Sequence, residues 1–157
     1  MESKTNVMRI LDGLKLPYAA HQYAADTALS GVEVAAVLEI PQERVFKTLV
    51  TVGKSLQHYV FVIPVAQELN LKKAAAACGE KSIEMLKAKA LLPLTGYVHG
   101  GCSPIGMKKP FPTYIDASAT LRDTICVSAG KIGFQVEMPL TTLQSVMPVR
   151  IAELVSP

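Results

Sequence analysis

Cysteine is scarce in this chain, and its pattern excludes two kinds of scaffold. Cys78, Cys102 and Cys126 are odd in number, widely spaced and without a C-x-x-C pair, so spacing suggests neither a disulfide framework nor a zinc site. Reduced thiols fit the cytosol, and no metal or other cofactor is expected. Long hydrophobic runs are missing too. The most apolar stretches, 59–66 and 88–94, fall far short of the roughly 20 residues that a membrane-spanning helix requires. The polar start, MESKTNVMR, lacks the apolar segment and small-residue cleavage site of a secretory signal, so a cytoplasmic location is expected. Charge of one sign is also in short supply. Sixteen basic against thirteen acidic residues leave a formal +3, which permits an RNA partner without announcing one. No internal repeat, low-complexity tract or long linker interrupts the chain.

What is present is apolar and evenly distributed. Half of the 157 residues are hydrophobic and the mean hydropathy is +0.29, which predicts one globular domain over 1–157 with a core that needs no metal or disulfide. Thr5 can cap a first helix whose apolar stripe is Val7, Ile10, Leu11 and Leu14, ending at the Leu16-Pro17 boundary. Ser30 and Glu33 have capping-box spacing ahead of Val34, Val37 and Leu38, which places a second helix over 31–38. The Ala-, Leu-, Lys- and Glu-rich stretches 71–78 and 82–88, separated by Gly79, read as two further short helices. Strands are expected over 45–52, 59–63, 96–99, 113–115, 124–128 and 134–138. This order is not a strict βαβ alternation, so the fold class is α+β with a mixed, strongly curved sheet.

Three segments carry chemistry. In Val45-Phe46-Lys47-Thr48-Leu49 the alternation of a strand puts Lys47 on one face with Val45 and Leu49, so an ammonium interrupts an apolar row. It reads either as a pocket cation aimed at a phosphate or carbonyl, or as an edge-strand lysine that discourages aggregation. The second segment, Gly100-Gly101-Cys102-Ser103-Pro104-Ile105-Gly106-Met107-Lys108-Lys109, is a glycine-rich loop whose backbone N–H groups can approach an anion. It matches neither the P-loop nor the G-x-G-x-x-G pattern, so nucleotide hydrolysis is not expected, and a plain connection is its ordinary alternative. The third, Ser128-Ala129-Gly130-Lys131-Ile132-Gly133-Phe134-Gln135, reads in isolation as a hairpin.

Taken in order, V-F-K-T-L, G-G-x-S-P-I-G-x-K-K and S-A-G-x-x-G resemble the YbaK/EbsC family of aminoacyl-tRNA deacylases. His21-Gln22-Tyr23, Thr113-Tyr114-Ile115-Asp116 and 124–130 fall in that family's order too, so the resemblance covers nearly the whole chain. It implies a compact α+β editing-domain fold. It also implies Lys47 as the essential lysine, Tyr23 and Ser128 as pocket groups, and a substrate loop containing Gly100, Gly101, Ser103, Pro104, Ile105 and Gly106. Two departures fall at substrate-binding positions. Ser30 stands where relatives often have an aromatic residue, and Gln135 where several have a carboxylate, so Gln135 cannot act as a carboxylate base.

The residues assemble no convincing nucleophile. Cys102 lies in the glycine loop, but no histidine is placed beside it by sequence, and His21, His58 and His99 read as packed or hydrogen-bonded side chains. The resemblance supplies another route, in which the cysteine thiol of a mischarged tRNA(Pro) attacks its own ester and leaves as a cyclic thiolactone. Alanine-directed or broader deacylation stays open, as does a non-catalytic module that binds aminoacyl-tRNA or a synthetase. Lys4, Arg9, Lys72, Lys73, Lys108 and Lys109 are candidate phosphate contacts. With so small a net charge, selectivity for tRNA(Pro) is expected to come from prolyl-tRNA synthetase as partner.

Overall fold

The computed structural model describes residues 4–24 and 29–156; the first three residues of the polar N-terminal stretch lie outside them. In chain order the helices are α1 (Asn6–Gly13), α2 (Gly31–Leu38), α3 (Leu71–Cys78), α4 (Ala88–Thr95) and α5 (Leu140–Val146). The strands are β1 (Ala19–Gln22), β2 (Phe46–Gly53), β3 (His58–Pro64), β4 (Ile83–Met85), β5 (Thr113–Asp116), β6 (Ile125–Ser128), β7 (Phe134–Met138) and β8 (Arg150–Ala152). Two short 3-10 turns, Gln42–Arg44 and Ala117–Leu121, complete the set.

Local chemistry accounts for most helix ends. The Thr5 hydroxyl accepts from the Met8 N–H, and Ser30 and Glu33 form a reciprocal capping box on α2. Such caps each contribute about 1 kcal/mol by satisfying N–H groups that have no partner within the helix. Asn70 caps α3 in the same way, and Gly79, at φ 75°, ends it. Two expected elements change type. Segment 82–88 does not form a helix, because Ile83–Met85 pairs antiparallel with the edge of β2 and buries Ile83; sheet pairing there overrides helix propensity. Segment 96–99 is not a strand. Gly96, at φ 87°, caps α4, and Tyr97 turns into the core.

The strands divide between two sheets. One is a five-stranded mixed sheet of order β4-β2-β3-β5-β8, and the other is a three-stranded antiparallel sheet of order β1-β7-β6. A parallel bridge between Val45 and Cys126 joins them at the entry to β2. The main core lies where Val60, Val62 and Ile115 of the larger sheet meet Val127, Val136 and Met138 of the smaller, with Val7 and Leu11 of α1 and Leu143 of α5. On the other face of the larger sheet, Tyr59, Phe61, Ile63 and Tyr114 pack against Ala74 and Ala75 of α3. Strand β3 is thus buried on both faces, and this is why it reads as an unbroken apolar run. A third cluster, Ala35, Val45, Val65 and Cys126, seats α2 over the junction of the sheets. Gly31 makes that seat close: a Cβ there would stand 2.4 Å from Val65 Cγ1.

The turn between β2 and β3 is held by one carboxylate. Glu80 accepts hydrogen bonds from the Ser55 hydroxyl, the Ser55 N–H and the Tyr59 hydroxyl. The bond to Ser55 is the largest influence lowering its pKa below the ordinary 4.5, and Tyr59 is raised in turn to about 12. A depressed carboxylate pKa contributes stability that is present above its unfolded value and lost as pH falls through the folded one. Urea unfolding from pH 6 downward should therefore show a stability loss beginning below about pH 4.5. The loss should be shallower in Glu80→Gln; equal slopes would remove Glu80 from the acid response.

Candidate functional site

A cavity of about 160 Å³ opens beside the junction of the two sheets. Its wall includes Lys47 and Thr48 of β2, Ser128 of β6, Gln135 of β7, Ser30, Gly31 and Val34 of α2, and His99, Gly100 and Cys102 of the glycine-rich loop. Lys47 reaches it because of its place in the alternation. Val45, two residues before it, belongs to the cluster under α2, and Leu49, two residues after it, packs with the cluster under α3. Lys47 therefore falls in the gap between two apolar patches. It is half-buried and has no hydrogen bond or ion pair among the described residues.

Ser128 and Gln135 are brought together by register, since they face each other across the β6–β7 ladder. The Ser128 oxygen accepts from the Gly130 N–H at 3.1 Å, which leaves its hydroxyl hydrogen available as a donor. Gln135 is nine-tenths buried, and its Oε1 has no hydrogen-bond partner among the described residues; the same holds for the Thr48 hydroxyl. A buried acceptor without a donor costs about 1–3 kcal/mol. Two of them lining one cavity mark a place where a ligand with N–H donors gains. Ser30 also lines the wall, but its oxygen is committed to the N-cap, accepting from the Glu33 N–H.

The loops behind this wall are locked by close backbone approach. A Cβ on Gly101 would lie 3.0 Å from the Ile132 nitrogen, so the glycine-rich loop and the 128–133 turn touch main chain to main chain. Tyr97 is wedged between them. Its hydroxyl donates to the Ile105 carbonyl, and its ring carbon would stand 2.9 Å from a Cβ on Gly130.

Not every residue expected at the site lines this cavity. Tyr23 does not: it is buried and its N–H donates to the Gly133 carbonyl at 2.9 Å. Gly101 is buried in the loop contact just described, and Ser103 is buried with its hydroxyl accepting from the Ile105 N–H. Pro104, Ile105 and Gly106 line a different, larger concavity of about 540 Å³, with Lys109, Phe111 and Arg150. That groove is mostly apolar and contains neither Lys47 nor the unpartnered acceptors of Thr48 and Gln135, so the smaller cavity is the candidate site. The expected loop therefore splits, with Gly100 on the cavity, Gly101 and Ser103 buried, and Pro104, Ile105 and Gly106 on the larger concavity. Thr48, His99 and Cys102 also line the cavity, and nothing in the sequence pattern marks Thr48 as a site residue.

Among the described residues the arrangement contains no activated nucleophile. Burial pushes the Cys102 thiol up to about 12, which leaves it protonated near neutral pH. His99 shares the cavity wall but makes no hydrogen bond to Cys102. What the site can do is hold an ester next to an ammonium, a hydroxyl donor and two open acceptors. Among the expected phosphate contacts, Lys4 sits on Asp12 and Lys73 donates to the Val155 carbonyl.

The profile of the aminoacyl-tRNA editing domain matches residues 25–146, and the chain belongs to this family. It is 47% identical over 154 residues to the Enterococcus faecalis protein provisionally named Cys-tRNA(Pro)/Cys-tRNA(Cys) deacylase EbsC, covering 98% of this chain and 94% of that one. Among solved structures, one provisionally described as a trans-editing enzyme for prolyl tRNA synthetase superimposes with a TM-score of 0.83 at 22% identity. That alignment covers 99% of this chain and 100% of the other. A hypothetical protein superimposes at 0.87 with 21% identity, over 96% and 99% of the two chains. Both share the fold. No helix among the described residues is long and apolar enough to cross a membrane.

Proposed function

We propose that this protein is a trans-editing deacylase that removes cysteine wrongly attached to tRNA(Pro). The observation that carries the reading is the cavity itself, which joins a lysine without a partner among the described residues to Ser128, Gln135 and Thr48, and in which no described hydroxyl or thiol is paired with a base. Identity of 47% over nearly the whole chain to a relative with such a name supports the same substrate class. Pockets for whole small molecules begin at about 300 Å³. A cavity of about 160 Å³ suits a small aminoacyl group, leaving the terminal adenosine to lie across the Gly100 side of the mouth.

In this reading the protein positions and polarises, and the substrate supplies the nucleophile. The substrate sulfur attacks its own ester carbonyl, an S–C bond forms, the C–O bond breaks, and the thiol proton ends on the departing ribose oxygen. Lys47 and the Gly100 N–H face the carbonyl oxygen as negative charge develops on it, an interaction worth most in a site shielded from water. The Ser128 hydroxyl orients the thiol or the 2'-hydroxyl. Gln135 Oε1 and the Thr48 oxygen accept from the α-ammonium of the aminoacyl group, which has three N–H donors. Tyr23, set behind the 128–133 turn, acts only through the position of that turn. Cysteine needs such a step because a hydrophobic pocket built for proline discriminates poorly against a side chain that is similar or smaller. With a formal charge of +3, selectivity for tRNA(Pro) is assigned to association with prolyl-tRNA synthetase.

Loss of the ester from Cys-tRNA(Pro) and Ala-tRNA(Pro), measured with the purified protein, tests the role of the thiol. Intramolecular attack is worth several kcal/mol, so the alanyl ester should be lost at least about 100-fold more slowly. Equal rates would replace the mechanism with a broader, water-using deacylation. No loss of either ester, even with prolyl-tRNA synthetase present, would leave a binding module.

A further inference from the structure

Beyond the cavity, the smaller sheet gathers three side chains that the sequence keeps far apart. Strands β1, β7 and β6 lie side by side, with His21 opposite Gln135 and Cys126 opposite Glu137. Because alternate residues of a strand share a face, His21, Glu137 and Cys126 all project from one face of three adjacent strands. One imidazole nitrogen, the Cys126 sulfur and a Glu137 carboxylate oxygen lie within 4.8 Å of one another. We propose that these three residues bind one thiophilic divalent cation, with Zn²⁺ the best match and a fourth position left for water.

The ligand chemistry favours zinc. Imidazole nitrogen, thiolate sulfur and carboxylate oxygen are its usual donors, at about 2.0–2.1, 2.3 and 2.0–2.2 Å, and three protein ligands with one open position form a known coordination pattern. Hard cations such as Mg²⁺ and Ca²⁺ prefer sites made wholly of oxygen. At tetrahedral angles those bond lengths separate ligand atoms by about 3.3–3.8 Å, so movements of about 1 Å would close the site. His21 Nε2 and Glu137 Oε1 are 2.7 Å apart and would turn from each other to the metal. The other carboxylate oxygen, Oε2, accepts from the Thr124 hydroxyl; an outer hydrogen bond of this kind orients a ligating carboxylate. Charge also balances, since a thiolate and a carboxylate together neutralise the dication and the thiol proton leaves to solvent. The neighbouring cation, Arg44, has its own partner in Asp123 at 3.8 Å.

Access is from the side of His21 and Glu137, whose side chains are 27% and 19% exposed, while Cys126 is buried. The metal would pin β1, β7 and β6 together two residues from both Ser128 and Gln135, and so stiffen one wall of the cavity. The inference does not depend on the proposed activity.

The test uses the untagged full-length chain and Co²⁺ as a coloured stand-in for Zn²⁺. Titration should give one equivalent of binding with a thiolate-to-cobalt charge-transfer band in the near ultraviolet, displaced by Zn²⁺. A hundredfold excess of Zn²⁺ over its dissociation constant should raise the melting temperature by about 5 °C or more. Cys126→Ala should abolish the band, whereas Cys78→Ala should keep it. Since Cys126 is a core residue, His21→Gln provides an independent check near the surface and should weaken binding at least tenfold. Absence of the band in the parent protein would overturn the proposal, as would an undiminished band in Cys126→Ala or unchanged affinity in His21→Gln.

Discussion

Lys47→Ala is expected to lower the rate of Cys-tRNA(Pro) deacylation by about 100- to 1000-fold, the loss typical when one preorganised donor to a developing oxyanion is removed. The fold should survive unchanged. Lys47 is half-buried, makes no hydrogen bond or ion pair among the described residues, and interrupts an apolar face. Deleting its ammonium therefore breaks no hydrogen bond or ion pair among the described residues. Thermal unfolding measured beside the single-turnover rate separates the two effects: activity should collapse with the melting temperature level or slightly raised. A large drop in melting temperature would make Lys47 a structural residue, and a rate within about threefold of the parent would remove it from the reaction. Lys47→Arg keeps the charge but presents a broad planar group, so in a cavity of about 160 Å³ it should restore little of the rate.

Gly130→Ala should destabilise the protein by about 2–4 kcal/mol and disable the cavity with it. Two penalties coincide at this position. Its φ of 90° lies where a Cβ is strained, at about 1–2 kcal/mol, and the added atom would meet the Tyr97 ring at 2.9 Å and Val7 at 3.2 Å. Tyr97 cannot retreat easily, because its hydroxyl is tied to the Ile105 carbonyl and the ring lies in the main core. The N–H of Gly130 is also the donor that holds the Ser128 oxygen, so the strain is transmitted to a residue of the cavity wall. Gly13→Ala is the matching control. It sits at the end of α1 with nothing within 4 Å of an added Cβ and without a positive φ, and should stabilise by about 0.5–1 kcal/mol through the unfolded chain. Urea unfolding of the two variants should move in opposite directions. A Gly130→Ala protein as stable as the parent would mean that the 128–133 turn yields without cost, and that its contact with Tyr97 does not hold the site.

The site was partly readable before the fold was known. The lysine within V-F-K-T-L stood out because alternation placed a charge in an apolar row, a signal that depends on sequence alone. Gly100 stood in a glycine-rich loop that could bind an anion or simply connect, Ser128, Gln135 and Ser30 came as site residues only through resemblance to a family, and the fold sets all four on the wall with Lys47. Tyr23 and the later part of the glycine-rich loop came by the same route and lie elsewhere. Resemblance identifies a motif but not which of its residues point inward. In a loop with two positive-φ glycines, Gly100 and Gly106, successive side chains keep no fixed phase, so no period could have told Gly100 from Gly106. The unpartnered acceptors of Thr48 and Gln135 were equally out of reach, since whether a polar atom has a partner is a property of its neighbours in space.

Sequence by itself determined the local features of this protein: the caps at Thr5 and Ser30, the helices they start, the strand over 59–63 and the placement of Lys47 on an apolar face. Each depends on residues a few positions apart, where period and capping chemistry act directly. Tertiary structure decided what depends on distant partners. It turned Ile83–Met85, within the segment 82–88, from helix to edge strand by offering β2 as a neighbour, and divided the strands between two sheets joined at Val45 and Cys126. It also set His21 beside Glu137 across 116 positions of chain. Local propensities amount to tenths of a kcal/mol per residue, whereas burying one large apolar side chain contributes about 1.5–3 kcal/mol, so where the two disagreed the packing prevailed.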